Sequence, residues 1–139
     1  MRFIDANVFL YAIIKPRASL SPTDKNIKRL ARDIISRIDS NEKALTTVVH
    51  ISEVLNILES HTTYDYAIDA AERILSNENL VIETVNKYDY NISIQIAKKY
   101  KISMNDALAV FLMQSHKLDE IYSFDKHFDN IEGIKRVII

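Results

Sequence analysis

The stretch MRFIDANVFLYAII (residues 1–14) decides how the chain folds. An apolar run of strand type ends on an acid, Asp5, and apolar residues resume directly after Asn7. A carboxylate there is a turn-former, a helix cap, or one ligand of a metal site whose other members lie far along the chain. Reading outward, 2–5 is a strand and 7–14 a helix, with Asn7 able to cap it. A Ser-rich loop follows, bracketed by Pro16 and Pro22. Helices are expected near 23–39 (capped by Ser21 or Thr23), 47–60, 64–76, 87–100 and 105–116. Strands are expected near 43–45, 80–83, 121–124 and 135–139. Short apolar strands separated by helical segments make one α/β domain over 1–139, with a central, mostly parallel sheet flanked by helices. Such sheets carry their functional groups beyond the carboxyl ends of the strands. Asp5 ends the first strand and Asp125 follows IYSF (121–124), so both face the same sheet edge.

Composition removes several classes of function. The 139 residues suit one ordinary domain, able to bury about two thirds of its unfolded surface. The longest apolar runs, Val8 to Ile14 and Ala107 to Met113, are far below the ~18 residues a membrane span needs. With no cysteine there is no disulfide framework, zinc ribbon or thiol nucleophile. The start lacks the pattern of a secretory signal, so a cytoplasmic protein is expected. The chain has a single glycine, Gly133. A P-loop, a dinucleotide fingerprint and a nucleophile elbow all need more, so any chemistry falls to side chains and a metal. The net charge of −1 hides an uneven distribution. Lys15, Arg17, Lys25, Lys28, Arg29, Arg32 and Arg37 stand against only Asp24 and Asp33, and the rest of the chain is acidic. This stretch is either a solvated helix face or a phosphate-binding edge.

Among the acids, Asp106 in SMNDALAVFLM (103–113) falls in a first helical turn, with Ser103 or Asn105 as cap. The helix after it is apolar nearly all round and must be buried, which turns its amino end toward the protein. Glu53 lies in TTVVHISEVLNIL (46–58), whose strongest apolar side runs through Val48, Ile51, Val54, Leu55 and Leu58. It points away from that side, yet Val49 and Ile57 share its ridge. Asp125 and Asp129 belong to the turn-like SFDKHFDNIEG (123–133), with Asp125 favoured as a ligand because it follows a strand. Each acid alone has a structural reading. Together, carboxylates converging on one strand edge repel one another, and Mg²⁺ or Mn²⁺ relieves that repulsion. This is the donor set of metal-assisted phosphodiester cleavage. The histidines, His50, His61, His116 and His127, show no metal-binding spacing and are read as non-ligands. The tyrosines of TYDY (63–66) and KYDY (87–90) read as packing residues.

With FIDANVFLY (3–11), TTVVHISEVLNIL, SMNDALAVFLM and YSFDKHFDNIEGI (122–134) in series, the chain resembles the PIN-domain family, above all its VapC-type toxins. The resemblance spans essentially the whole chain. It implies a metal-dependent endoribonuclease that leaves a 5′-phosphate and a 3′-hydroxyl. Its acidic quartet maps onto Asp5, Glu53, Asp106 and Asp125, with Asn7 orienting the first aspartate and Asp129 supporting. The expected partners are RNA, a small antitoxin protein and a second copy of the chain. Lys25, Lys28, Arg29 and Arg32 are expected at the entrance to the acids. The alternatives are a non-catalytic RNA-binding or scaffolding PIN domain, and a PIN nuclease of RNA processing without an antitoxin. An aspartyl-phosphate fold of the haloacid-dehalogenase type wants a second Asp where Asn7 stands.

Overall fold

The computed structural model describes residues 1–15 and 18–138; Pro16, Arg17 and Ile139 lie outside the described residues. Strand β1 (Arg2–Ile4) leads into helix α1 (Ala6–Ile13), and α2 (Pro22–Ser40) follows the loop. Then come β2 (Ala44–Thr47), α3 (Val48–His61), α4 (Tyr64–Leu75) and β3 (Leu80–Glu83). Helices α5 (Lys87–Tyr100) and α6 (Met104–Ser115) precede β4 (Glu120–Tyr122), a 3-10 turn (Lys126–Asn130) and β5 (Lys135–Val137).

The sheet runs in the order β3-β2-β1-β4-β5, and all four pairings are parallel. Strand alternation divides the interior in two. Ile4, Ala44 and Tyr122 enter the core under α1 to α4, while Phe3, Leu45 and Ile121 enter the one under α5, α6 and the 3-10 turn. Both faces of the strands are therefore buried, as an all-parallel sheet requires. Helix α6 meets its expectation: Ala107, Leu108, Ala109, Val110, Leu112 and Met113 are all buried. Among the described residues, no helix is long and apolar enough to cross a membrane.

Strand order reverses between β1 and β4, which creates a crevice at their carboxyl ends. The opposite end of the same strands is closed by paired charges. Arg2 donates to Glu120 (2.7 Å), to Glu42 (3.1 Å) and to the Tyr122 hydroxyl (2.9 Å). With so little glycine, the turn after α5 puts Lys101 in the left-handed region (φ 54°) and the turn after α6 does the same with Lys117 (φ 56°). Glycine itself takes such a conformation only at Gly133 (φ 79°).

Every expected element is present, and the differences sit at boundaries. The first strand stops at Ile4, because Asp5 rather than Asn7 caps α1. Ser21 caps α2, which places Pro22 in the first turn, where its missing N–H costs nothing. The fourth strand ends at Tyr122 and not at residue 124, because Ser123 turns its hydroxyl into local hydrogen bonds. On α3 the expected apolar side is wrong at one point. Val48, the first helical residue, is exposed, and His50 is fully buried instead. Of the tyrosines, Tyr66 and Tyr90 are half-buried while Tyr64 and Tyr88 stand in solvent.

Candidate metal centre

Strand β1 delivers Asp5 to the crevice with extended backbone, which lets its carboxylate reach both forward and sideways. Oδ1 accepts from the Ala6 N–H at 2.8 Å, and Oδ2 accepts from Ser123 Oγ at 2.7 Å. The residue is 6% exposed. Burial pushes its pKa up to about 7; the nearby Asp106 and Glu53 carboxylates push the same way, against the Ser123 and Ala6 hydrogen bonds.

Ser123 is the hinge of the site. Its hydroxyl donates to Asp5 and accepts from Asn7 Nδ2 (3.3 Å) and from the Asp125 N–H (3.0 Å). One donor and two acceptor positions exhaust what a hydroxyl offers. Asn7 is a helical residue rather than the cap, and its Oδ1 accepts from the Phe124 N–H at 3.3 Å. Thus the first helix and the loop after β4 are fastened together around one buried oxygen.

Asp106 comes from the other face of the sheet. Ser103 caps α6 and accepts from the Asp106 N–H at 3.1 Å, which holds Asp106 in the first turn. Its pKa is raised, first by burial, then by Asp125 and Glu53; Ser103 and His127 pull it down. Glu53 is half-buried on α3 between the half-buried Val49 and Ile57. Asp125 caps the 3-10 turn, its Oδ1 accepting from the His127 N–H at 2.9 Å. Asp106 is therefore the common neighbour: Asp5, Glu53 and Asp125 all act on it or feel it. Among the described residues, no lysine or arginine forms an ion pair with any of these four acids. Asp129 is different, being exposed and held in a two-pronged pair with Arg136 (2.9 and 3.0 Å). That pair pulls its pKa down, and it fixes Arg136 under the Ser123 carbonyl.

The donor set fits a hard divalent cation: carboxylate oxygens, with no lysine or arginine ion pair to any of them among the described residues. Oxygens of Asp106 and Asp125 and a ring nitrogen of His127 all lie within 4.8 Å of one another. Sequence spacing reads His127 as a non-ligand, because its partners are an adjacent turn and a distant helix. Ser123 carries only one sequence signal, its place between a strand and an aspartate. His50, read as a non-ligand, has a structural place. It is fully buried, its Nδ1 lies 2.7 Å from Thr47 Oγ1, and its ring stands edge-on to Phe3. Burial pushes its pKa down to about 4, so it is neutral and structural.

Open grooves adjoin Glu53 and Asn7. One of about 540 Å³ runs from Glu53 past Asn56 to Tyr90 and Asn105. Another, of about 380 Å³, joins Asn7 and Tyr11 to Leu20 and Lys28. Beyond it Lys25, Lys28, Arg29 and Arg32 line a shallower groove with Asp33. Lys28 donates to the Tyr11 carbonyl (2.9 Å) and to that of Ile14, and Arg29 pairs with Asp33 (3.2 Å). Lys25 and Arg32 are exposed. The more enclosed cavity, about 330 Å³ among Phe9, Ile13, Ile38, Ala70 and Ile74, contains none of the four acids.

A parallel α/β domain that gathers carboxylates over its switch point offers the kind of oxygen donors a hard cation takes. The chain belongs to the PIN-domain family, whose model matches residues 2–134. It is similar to ribonuclease VapC13 of Mycobacterium tuberculosis, at 23% identity over 99% of both chains. Its fold resembles that of solved VapC20 of Mycobacterium tuberculosis, described as a Sarcin-Ricin loop cleaving toxin. That match has a TM-score of 0.73 and 16% identity and covers 91% of each chain. A toxin-antitoxin complex from Klebsiella pneumoniae matches with a TM-score of 0.68 and 14% identity, over 97% of this chain and 96% of that one.

Asp5 and His50, both buried, give the metal-free protein a characteristic pH profile below pH 8. Asp5 has its folded pKa (about 7) above the unfolded 3.8, so its contribution is full below 3.8 and is lost as pH rises through 7. His50 has its folded pKa (about 4) below 6.5, so its contribution is full above 6.5 and is lost as pH falls through 4. The two swings are on the order of 4 and 3 kcal/mol and oppose each other between pH 4 and 6.5. Asp106 acts in the sense of Asp5 and is present in both proteins compared. In EDTA, the stability of Asp5→Asn relative to the parent should therefore climb from about pH 4 to about pH 7 and level off above it. Urea unfolding at several pH values reads this difference, and parallel profiles would refute it.

Proposed function

We propose that the protein is a VapC-like endoribonuclease, the toxin of a toxin–antitoxin pair, that cleaves RNA phosphodiester bonds with Mg²⁺ or Mn²⁺. The observation that carries this reading is the mutual influence of Asp5, Glu53, Asp106 and Asp125, brought from both faces of the sheet, with no lysine or arginine ion pair to any of them among the described residues. The name of VapC13 and the toxin structures that share the fold support it.

A divalent ion at the acids supplies positive charge for the phosphoryl oxygens and the leaving oxygen, and makes bound water easier to deprotonate. The chain's own residues do the rest. Asp5, Asp106 and Asp125 hold the ion. Ser123 and Asn7 keep the Asp5 carboxylate in one orientation, so little reorganisation is needed when charge develops. Glu53, the acid on α3, orients the attacking water or completes the ligand set. The open groove toward Tyr90 and the one toward Lys28 leave room for single-stranded RNA on both sides of the acids. Lys25 and Arg32 offset the repulsion between phosphate and acids; Lys28 serves first to tie α2 to the end of α1, and Arg29 pairs with Asn26 and Asp33 within α2. The working protein is a homodimer in the cytoplasm, with a small antitoxin protein as its inhibitor.

Two measurements check this. Asp5→Asn should leave the fold intact and abolish RNA cleavage, and EDTA should silence the parent until Mn²⁺ is restored. Cleavage by the purified variant at the parental rate would contradict the assignment. Replacing Lys25 and Arg32 together with alanine should weaken RNA binding at low salt. The slope of log affinity against log salt should fall by about 0.7 per lost phosphate contact. Cleavage at saturating RNA should stay near parental. Unchanged affinity at low salt would return this stretch to a solvated helix face.

A further inference from the structure

His127 lies outside the four acids and is bound to them by geometry. Its ring nitrogen Nδ1 is 3.0 Å from Asp125 Oδ1 and 4.0 Å from Asp106 Oδ2. An octahedral ion with bonds of about 2.1 Å spaces adjacent ligands about 3 Å apart and opposite ligands about 4.2 Å apart. The nitrogen therefore stands at ligand spacing from two carboxylates that reach it from different elements. Its placement is fixed by the backbone. Asp125 Oδ1 accepts from the His127 N–H, and the next residue, Phe128, is fully buried in the core under α6. Anchored on both sides, the backbone holds the His127 Cα beside the acids, with the imidazole two-thirds exposed.

We infer that His127 is a direct nitrogen ligand of the ion on the Asp106–Asp125 side of the site, and that it tilts the site toward Mn²⁺ over Mg²⁺. This rests on the metal reading above. Mg²⁺ favours all-oxygen shells and keeps its water, whereas imidazole nitrogen raises affinity for transition-metal ions. Coordination through Nδ1 places the ring proton on Nε2, which is directed away from the bound ion. One imidazole beside carboxylates thus makes a site that accepts both ions and discriminates between them.

Electron spin echo spectroscopy of the Mn²⁺-loaded protein tests the assignment without recourse to activity. The parent should show modulation from a directly bound ¹⁴N, and His127→Ala should lose it while keeping its fold. In calorimetric titrations His127→Ala should bind Mn²⁺ at least about tenfold more weakly, with a much smaller change for Mg²⁺. His127→Asp, which restores an oxygen ligand, should recover Mg²⁺ affinity and erase the preference. Mn²⁺ bound without a nitrogen signal in the parent, or an undiminished signal in His127→Ala, overturns the His127 assignment and leaves the acid site standing. Absence of Mn²⁺ binding at millimolar concentration overturns both.

Discussion

The hydroxyl of Ser123 is the constraint on which the crevice depends. It is fully buried and spends its one proton on Asp5, while its two lone pairs take the Asn7 amide and the Asp125 N–H. Because no hydrogen-bonding position is left over, the hydroxyl cannot rotate without breaking a bond in a place that water does not reach. Strand β1, the first turn of α1 and the loop after β4 are thereby locked in one arrangement. The parallel pairing of β1 with β4 sets this up, since the Asp5 N–H continues the ladder by donating to the Tyr122 carbonyl at 3.0 Å.

The two ends of the sheet follow opposite electrostatic rules. At the amino end Arg2 is matched to Glu42 and Glu120, and Tyr122 closes the network with its hydroxyl donating to Glu42. At the carboxyl end, acids face acids. Burial and like charge raise the proton affinity of Asp5 and Asp106. A chain selected for stability alone would pair or remove these groups. Their strain is held in place by the helix caps at Ser21 and Ser103, the buried α6 and the core on each face. The enclosed apolar cavity lies elsewhere, among Phe9, Ile13, Ile38, Ala70 and Ile74.

Much of this was legible in the sequence because it follows from periodicity and punctuation. Strands of three or four apolar residues followed by amphipathic helices specify a parallel sheet, and acids at strand ends specify its functional edge. The aspartates at 5, 106 and 125 are recognisable by position, each at a strand or helix boundary. Glu53 is visible as an acid on a helix ridge with apolar neighbours. What escaped was decided by tertiary contact. Ser123 looks like the interior of a strand until the register shows its hydroxyl turned toward Asp5. His50 looks like a polar interruption, but the Thr47 hydroxyl gives its ring a partner in the core. Lys28 looks like one more basic residue, and its ammonium is spent on the carbonyls that end α1. His127 has partners too far along the chain for spacing to reveal.

If the acids form one cation site around a buried Asp5, binding an ion must expel the proton that burial holds there. Calorimetric titration of Mn²⁺ in two buffers of different ionisation enthalpy measures that proton directly. Release should approach one proton per ion near pH 6, fall to about half near pH 7 and vanish above about pH 8.5, as expected for a group with a pKa of about 7. Saturable binding with no proton release across this range would contradict the assignment of Asp5 to the site.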